Sequence, residues 1–181
     1  MSATKRIFVG TFVKNELLLK EYPKVKNTFE NVVTGKWVEE WNLHFTYHFI
    51  GEVALDIVDS IKKGLKVYLN EYQHELSFKG LGCFPNVKHP RVLFVNIIDG
   101  EGILKEIHNN CAQVLKKLGI EVDERPYHPH LTLLRIKSYK NREFQERLQK
   151  LSTLDFGKIE KFKVELIESQ LTKDGPIYKV I

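Results

Sequence analysis

The sequence predicts a mixed α and β fold of two similar halves, set as two lobes about one shared cleft. Three observations carry that prediction. Strands and helices alternate twice through the same course of strand, helix, strand, helix and strand. The pattern His-x-Thr-x occurs once in each half, as His44-Phe45-Thr46-Tyr47 and His130-Leu131-Thr132-Leu133, each time inside a strand-like run. No low-complexity linker separates the halves, so residues 1–181 read as one domain with intertwined lobes, not as two independent domains.

The elements follow in order. Arg6 to Val13 reads as a strand, and Asn15 to about Val32 as a helix interrupted at Pro23, which cannot donate a helical hydrogen bond. Leu43 to Ile50 is the first motif strand. Ile57, Ile61, Leu65, Tyr68 and Leu69 recur at helical spacing between Asp56 and Tyr72, and a strand is expected from His74 to Leu81. Phe84-Pro85-Asn86 is a turn, and Arg91 to Ile97 another strand. Gly102 to Leu118 is a helix with Ile103, Ile107, Val114 and Leu118 on one side and Gly119 at its C-cap. The second motif strand is followed by a charged helix from Asn141 to Leu151. Strands around Gly157 to Leu171 and Pro176 to Ile181 then join through the turn Lys173-Asp174-Gly175.

Composition narrows the functional classes. The chain of 181 residues is long enough for one well-buried core, and no run approaches the roughly eighteen apolar residues that span a bilayer. No signal-peptide pattern follows Met1, and the two cysteines, Cys83 and Cys111, form no Cys-x-x-Cys pair, so a cytoplasmic protein with buried thiols is expected. A formal charge of +5 and a pI near 9.1 suit an acidic partner such as RNA. Most lysines fall on what read as solvated helix faces and identify no site.

The motif itself speaks about chemistry. Side chains alternate across a strand, so His44 and Thr46 share one face while Phe45 and Tyr47 share the other, and His130 and Thr132 do likewise against Leu131 and Leu133. With seven His and eight Thr in the chain, two such matches arise by chance in roughly 4% of shuffled sequences, so their matched strand context must carry the reading. Two imidazoles facing one cleft can divide proton transfer, one neutral and accepting, the other charged and donating. Phosphodiester cleavage needs both functions. Thr46 and Thr132 can donate to the non-bridging phosphate oxygens as their charge grows. This chemistry needs no metal and no cofactor.

At these residues the chain resembles the 2H phosphoesterase superfamily, and within it the RNA 2′,3′-cyclic phosphodiesterases also known as 2′-5′ RNA ligases. The resemblance extends through Asn42 to Thr46 with Phe49-Ile50-Gly51-Glu52, Gly80 to Asn86 with Pro90-Arg91-Val92-Leu93, and Arg125-Pro126-Tyr127 with Pro129 to Arg135. It closes with Glu168-Ser169 and Gly175 to Tyr178. It implies an α+β fold of two pseudo-symmetric lobes, each an antiparallel sheet backed by helices, with the two motif strands flanking a central cleft. It also implies hydrolysis of RNA 3′ ends or nucleotides bearing a 2′,3′-cyclic phosphate to 2′-phosphomonoesters. His44 is then the proton donor and His130 the proton acceptor. Ligation of such an end to a 5′-hydroxyl is the same reaction reversed, and a nucleotide or RNA-end-binding module without turnover is the alternative from another class. No membrane is expected as a partner, and a monomer is the default.

The remaining candidates are weaker. Many relatives carry Leu-Lys after the motif threonine where this chain has Tyr47-His48, and strict alternation puts His48 on the face of His44, in reach of substrate or at the cleft edge. Arg135 lies an odd number of positions after His130, which turns it away from that face unless the strand twists or ends there. Arg125 can bind phosphate, while Tyr127 and Phe84 can stack on a terminal base, although core packing serves Phe84 as well. A zinc cluster of His44, His48, His128 and His130 would lack the carboxylate or cysteine that completes most zinc sites, and none is expected.

Overall fold

The computed structural model describes residues 3–173 and 175–181. Among the described residues its strands form two large antiparallel sheets and one small two-stranded one. In the first, β1 (Thr4–Phe12) lies between β3 (His44–Ala54) and β10 (Glu165–Thr172), with β11 (Gly175–Val180) on the far edge of β10. In the second the order is β2 (Val33–Trp37), β7 (His130–Tyr139), β6 (Val92–Ile98), β5 (Leu76–Phe84) and β8 (Asp155–Ile159). The halves correspond: β1 pairs with the motif strand β3 in one sheet, and β6 pairs with the motif strand β7 in the other.

The helices are exchanged between the halves. α1 (Glu16–Phe29) leaves β1 of the first sheet but packs against the second, touching β8 and α4 (Asn141–Lys150). α3 (Ile103–Lys117) leaves β6 of the second sheet but packs on β3 of the first, beside α2 (Leu55–Leu65). Each lobe is therefore closed by a helix from the other half, and one apolar cluster runs from Leu18, Tyr22 and Phe29 through Phe45 and Leu131 to Leu104 and Leu115. Separating the lobes would strip both sheets of their cover.

Several elements differ from the sequence expectation for identifiable reasons. Pro23 does not interrupt α1. The Asn15 side chain caps the helix by accepting from the Leu17 and Leu18 N–H groups at 2.9 and 3.2 Å, and Leu18, Tyr22, Val25 and Phe29 bury one face on both sides of the proline. That packing outweighs the one lost hydrogen bond. The helix expected to Tyr72 stops at Leu65. Its last carbonyl accepts from both Tyr68 and Leu69, and β4 (Glu71–Tyr72) pairs with β9 (Phe162–Lys163). β2, absent from the sequence reading, lies so close to β7 that a Cβ at Gly35 would sit 2.2 Å from the Arg135 carbonyl oxygen, so only glycine permits the pairing. Gly119 takes the left-handed C-cap expected of it, with φ of 75°. Asp174 of the expected turn lies outside the described residues. Cys111 is buried, which raises its thiol pKa to about 12, whereas Cys83 is half-buried. Among the described residues no helix is long and apolar enough to cross a membrane.

Candidate active site

Each motif strand carries a bulge at the same place. On β3, Thr46 pairs with Gly10 and His48 with Val9, leaving Tyr47 without a partner on β1. On β7, Thr132 pairs with Phe94 and Leu134 with Leu93, leaving Leu133 without a partner on β6. One extra residue reverses the phase of every side chain beyond it. Two consecutive residues, Tyr47-His48 and Leu133-Leu134, are therefore buried on the core side, and the next residue, Phe49 or Arg135, returns to the face of the histidine and threonine.

Both bulges are held from the exchanged helices. The Tyr22 hydroxyl of α1 donates to the Leu133 carbonyl at 3.2 Å, and His108 of α3 donates from Nδ1 to the Tyr47 carbonyl at 3.0 Å. The Val38 N–H adds a second bond to Leu133 at 2.8 Å. A bulged carbonyl loses its ladder partner and costs free energy if buried unpaired. The exchanged helix α3 thus supplies the donor at Tyr47, while at Leu133 the Val38 N–H donates and the Tyr22 hydroxyl, bonded more closely to the Val38 carbonyl at 2.5 Å, adds a longer contact.

The two motif histidines are tethered alike. His44 donates from Nδ1 to the Asn42 carbonyl at 2.6 Å, and His130 donates from Nδ1 to the His128 carbonyl at 2.7 Å. With Nδ1 committed as donor, each ring keeps Nε2 free to accept or donate a proton. Aromatic neighbours fix the ring planes. Phe8 and Tyr178 lie 5.0 and 4.8 Å from His44, while Phe84 and Phe94 lie 4.9 and 5.1 Å from His130. Thr46 and Thr132 are half-buried beside the histidines, and their hydroxyls make no hydrogen bond among the described residues. Beside the larger effect of burial, the Arg135 charge pushes the pKa values of His44, His130 and Tyr178 down, and its side chain shares a cavity wall with Tyr178.

Burial is the largest influence on both imidazoles and lowers both pKa values below the ordinary 6.5; the backbone hydrogen bonds oppose it, and the Arg135 charge adds to it. Acid–base catalysis needs one ring protonated and the other neutral, a state most populated midway between the two macroscopic values. The kcat/KM profile, which reports the free enzyme, should therefore peak on the acid side of pH 6.5. A bound phosphate anion favours the charged imidazolium, so the alkaline limb of kcat should lie at higher pH than that of kcat/KM. Parallel pH profiles of the two parameters check this, and a kcat/KM optimum above 6.5 would contradict it.

A cavity of about 370 Å³ opens beside the cleft, with Lys36, Trp37, Trp41, Arg135, Ile177 and Tyr178 in its wall. It adds apolar and aromatic surface next to the positive charge.

Comparison with known proteins agrees with this geometry. The family model described as AKAP7 2′5′ RNA ligase-like domain matches residues 51–181, which include the second His-x-Thr-x motif but not the first. Relatives that span both motifs supply the rest. An RNA 2′,3′-cyclic phosphodiesterase of Aquifex aeolicus is 35% identical over 97% of this chain and 94% of its own. Another, of Archaeoglobus fulgidus, is 36% identical over 96% of each. The chain belongs to the RNA 2′,3′-cyclic phosphodiesterase family of 2H phosphoesterases. Solved structures repeat the fold of this phosphodiesterase family member at lower identity. A Thermus thermophilus protein superposes with a TM-score of 0.77 at 22% identity, covering 97% of this chain and 94% of its own. E. coli LigT, crystallised with 3′-AMP, gives 0.75 at 18% over 99% and 96%.

Within this phosphodiesterase the bulges redistribute the weaker candidates. Arg135 is on the face of His130 and Thr132, against strict alternation. His48 is not: it is buried behind the sheet, donates from Nε2 to the His108 carbonyl at 2.8 Å and stacks on the His108 ring at 4.1 Å. Its expected place on the His44 face, in reach of substrate or at the cleft edge, is corrected to a packing role behind the sheet, which also keeps it from a cluster with His44, His128 and His130. Tyr127 also lies away from the motif face, stacked on His108 at 4.3 Å and half-buried against the core. Arg125 is exposed beside the same α3 groove, with its Nε donating to Asp123 at 2.9 Å; that bond, first among its causes, lowers the Asp123 pKa to about 2. Neither residue enters the cleft. Sequence reasoning missed Phe8, Tyr178, Tyr22 and His108. The first two lay in strands read only as framework, and the other two in helices whose exchange local periodicity does not show.

Proposed function

We propose that the protein hydrolyses RNA 3′ ends carrying a 2′,3′-cyclic phosphate to 2′-phosphomonoesters, through His44 and His130 and without a metal. The observation that carries this reading is the matched pair of Nδ1 tethers, which leaves two Nε2 atoms for proton transfer beside one guanidinium. His130 Nε2 takes a proton from water as the water oxygen bonds to phosphorus. The bond from phosphorus to the 3′ oxygen breaks, and that oxygen leaves with the proton held on His44 Nε2. Thr46, Thr132 and Arg135 hydrogen-bond the non-bridging oxygens, where charge accumulates. The donor and acceptor assignment follows the family resemblance, because the two tethers are alike.

The cavity walled by Trp41, Ile177 and Tyr178 suits the terminal nucleotide's base, since unpaired ends are held by stacking. The site draws one motif from each half, which supports treating residues 1–181 as one functional unit that acts as a monomer. Two free thiols support a cytoplasmic setting. Incubating a short RNA bearing a 2′,3′-cyclic phosphate in the presence of chelator, then identifying the product, tests the reading. A 2′-phosphate is expected; a 3′-phosphate would overturn the regiochemistry, and activity lost to chelator but restored by zinc would overturn the metal-free mechanism.

A further inference from the structure

Arg6 is a guanidinium on the catalytic face with no assigned task. Side chains of β1 alternate without a break, with Ile7, Val9 and Thr11 buried on the core side and Arg6 on the side of Phe8, whose ring touches His44. The Arg6 guanidinium lies 4.8 Å over the ring of Phe49, which is 55% exposed. Its Nε is buried without a hydrogen-bond partner among the described residues, and it forms no ion pair there with Glu52, its neighbour across β3. A guanidinium held over a ring and paired with no carboxylate among the described residues keeps its charge available to an anionic ligand on that face.

The pseudo-symmetry indicates what Arg6 replaces. Phe49 occupies on β3 the position that Arg135 occupies on β7, so the first motif strand brings a ring where the second brings a charge. Arg6 reaches over that ring from the adjacent strand and restores a positive charge to the first half. The two arginines are not equivalent in reach. Arg135 lines the cavity wall beside Tyr178, whereas Arg6 stands in register with Glu52, six positions along β1 from Phe12, the partner of His44. Arg135 thus serves the reacting phosphate, and Arg6 stands farther along the sheet from His44.

We propose that Arg6 binds the phosphodiester linking the terminal nucleotide to the one before it, with the exposed Phe49 ring as the platform for that preceding base. This inference rests on the cyclic phosphodiesterase reading. An arginine over an aromatic ring is a suitable pair for the task, because the fork takes two phosphate oxygens while the ring takes a base of any identity. It makes the enzyme prefer an RNA end over a free cyclic nucleotide.

The test compares a dinucleotide ending in a 2′,3′-cyclic phosphate with a nucleoside 2′,3′-cyclic phosphate that has no 5′-phosphate. In Arg6→Gln the ratio of kcat/KM for the dinucleotide to that for the mononucleotide should fall roughly tenfold, as expected for one charge-assisted contact, with the loss in KM. Arg6→Lys should keep most of the ratio. The slope of log(kcat/KM) against log salt should become shallower by about 0.7 for the dinucleotide. Because the ratio is internal to each preparation, partial misfolding cancels. A nucleoside 2′,3′-cyclic phosphate carrying a 5′-phosphate should show the same sensitivity as the dinucleotide. A wild-type ratio retained within twofold in Arg6→Gln would overturn the assignment while leaving the phosphodiesterase reading intact; wild-type protein inactive on both substrates would overturn both.

Discussion

His44→Ala and His130→Ala should each lower kcat on a cyclic-phosphate RNA end by roughly 10² to 10⁴, the usual worth of a positioned acid or base. Neither change should unfold the protein, since among the described residues each imidazole makes one hydrogen bond, to a carbonyl two residues before it. The two losses should combine to far less than their product, because acid and base act in one step. The variants can be told apart by the leaving group. If His44 protonates the departing oxygen, an activated aryl phosphodiester, whose phenolate leaves without help, should recover much of the rate of His44→Ala and little of that of His130→Ala. Each variant should also lose one limb of the bell-shaped pH profile, the alkaline limb for the missing donor and the acid limb for the missing acceptor. Near-full activity in both variants would remove the mechanism, and rescue of His130→Ala alone would exchange the two roles.

How far the sequence revealed this site depended on which physical signal each residue left. The histidines and threonines were legible because period-two alternation holds up to the motif threonine on both strands. Past that point the bulge reverses the phase, and strict alternation misplaced both His48 and Arg135. The signal was nonetheless in the sequence. Apolar residues run Leu131, Leu133, then Leu134 and Ile136, a step of one within a series of two, and the same step occurs from Phe45 and Tyr47 to His48 and Ile50. A strand with a solvated face does not bury two adjacent side chains unless it bulges. Read that way, Arg135 belongs to the catalytic face and His48 to the core.

The exchange of α1 and α3 left no comparable trace. Their amphipathic faces predict burial against some sheet, and nothing in a 3.6-residue period says which one. Only the fold brings Tyr22 to Leu133 and His108 to Tyr47. Tertiary partnership, not local pattern, also explains Tyr127, whose place beside the motif suggested a base-stacking role but whose ring closes the stack on His108.

The second large effect is expected at the threonines. Thr46→Val and Thr132→Val should each reduce kcat by roughly 10² to 10³, the range seen when one oxyanion donor is removed. Valine keeps the branched shape and the strand preference of threonine and deletes only the hydroxyl. In the free protein neither hydroxyl has a partner among the described residues, so folding stability should change by no more than about 0.5 kcal/mol. A group unused in the folded ground state but costly to lose in turnover acts on the charge that develops at phosphorus. Thr→Ser at either position should retain most of the rate, and KM should move less than kcat. The double variant should fall short of the product of the singles if both hydroxyls serve one phosphate. Thr→Val variants that keep their rate within threefold, measured beside unchanged thermal unfolding, would leave Arg135 as the only stabilising contact on the non-bridging oxygens.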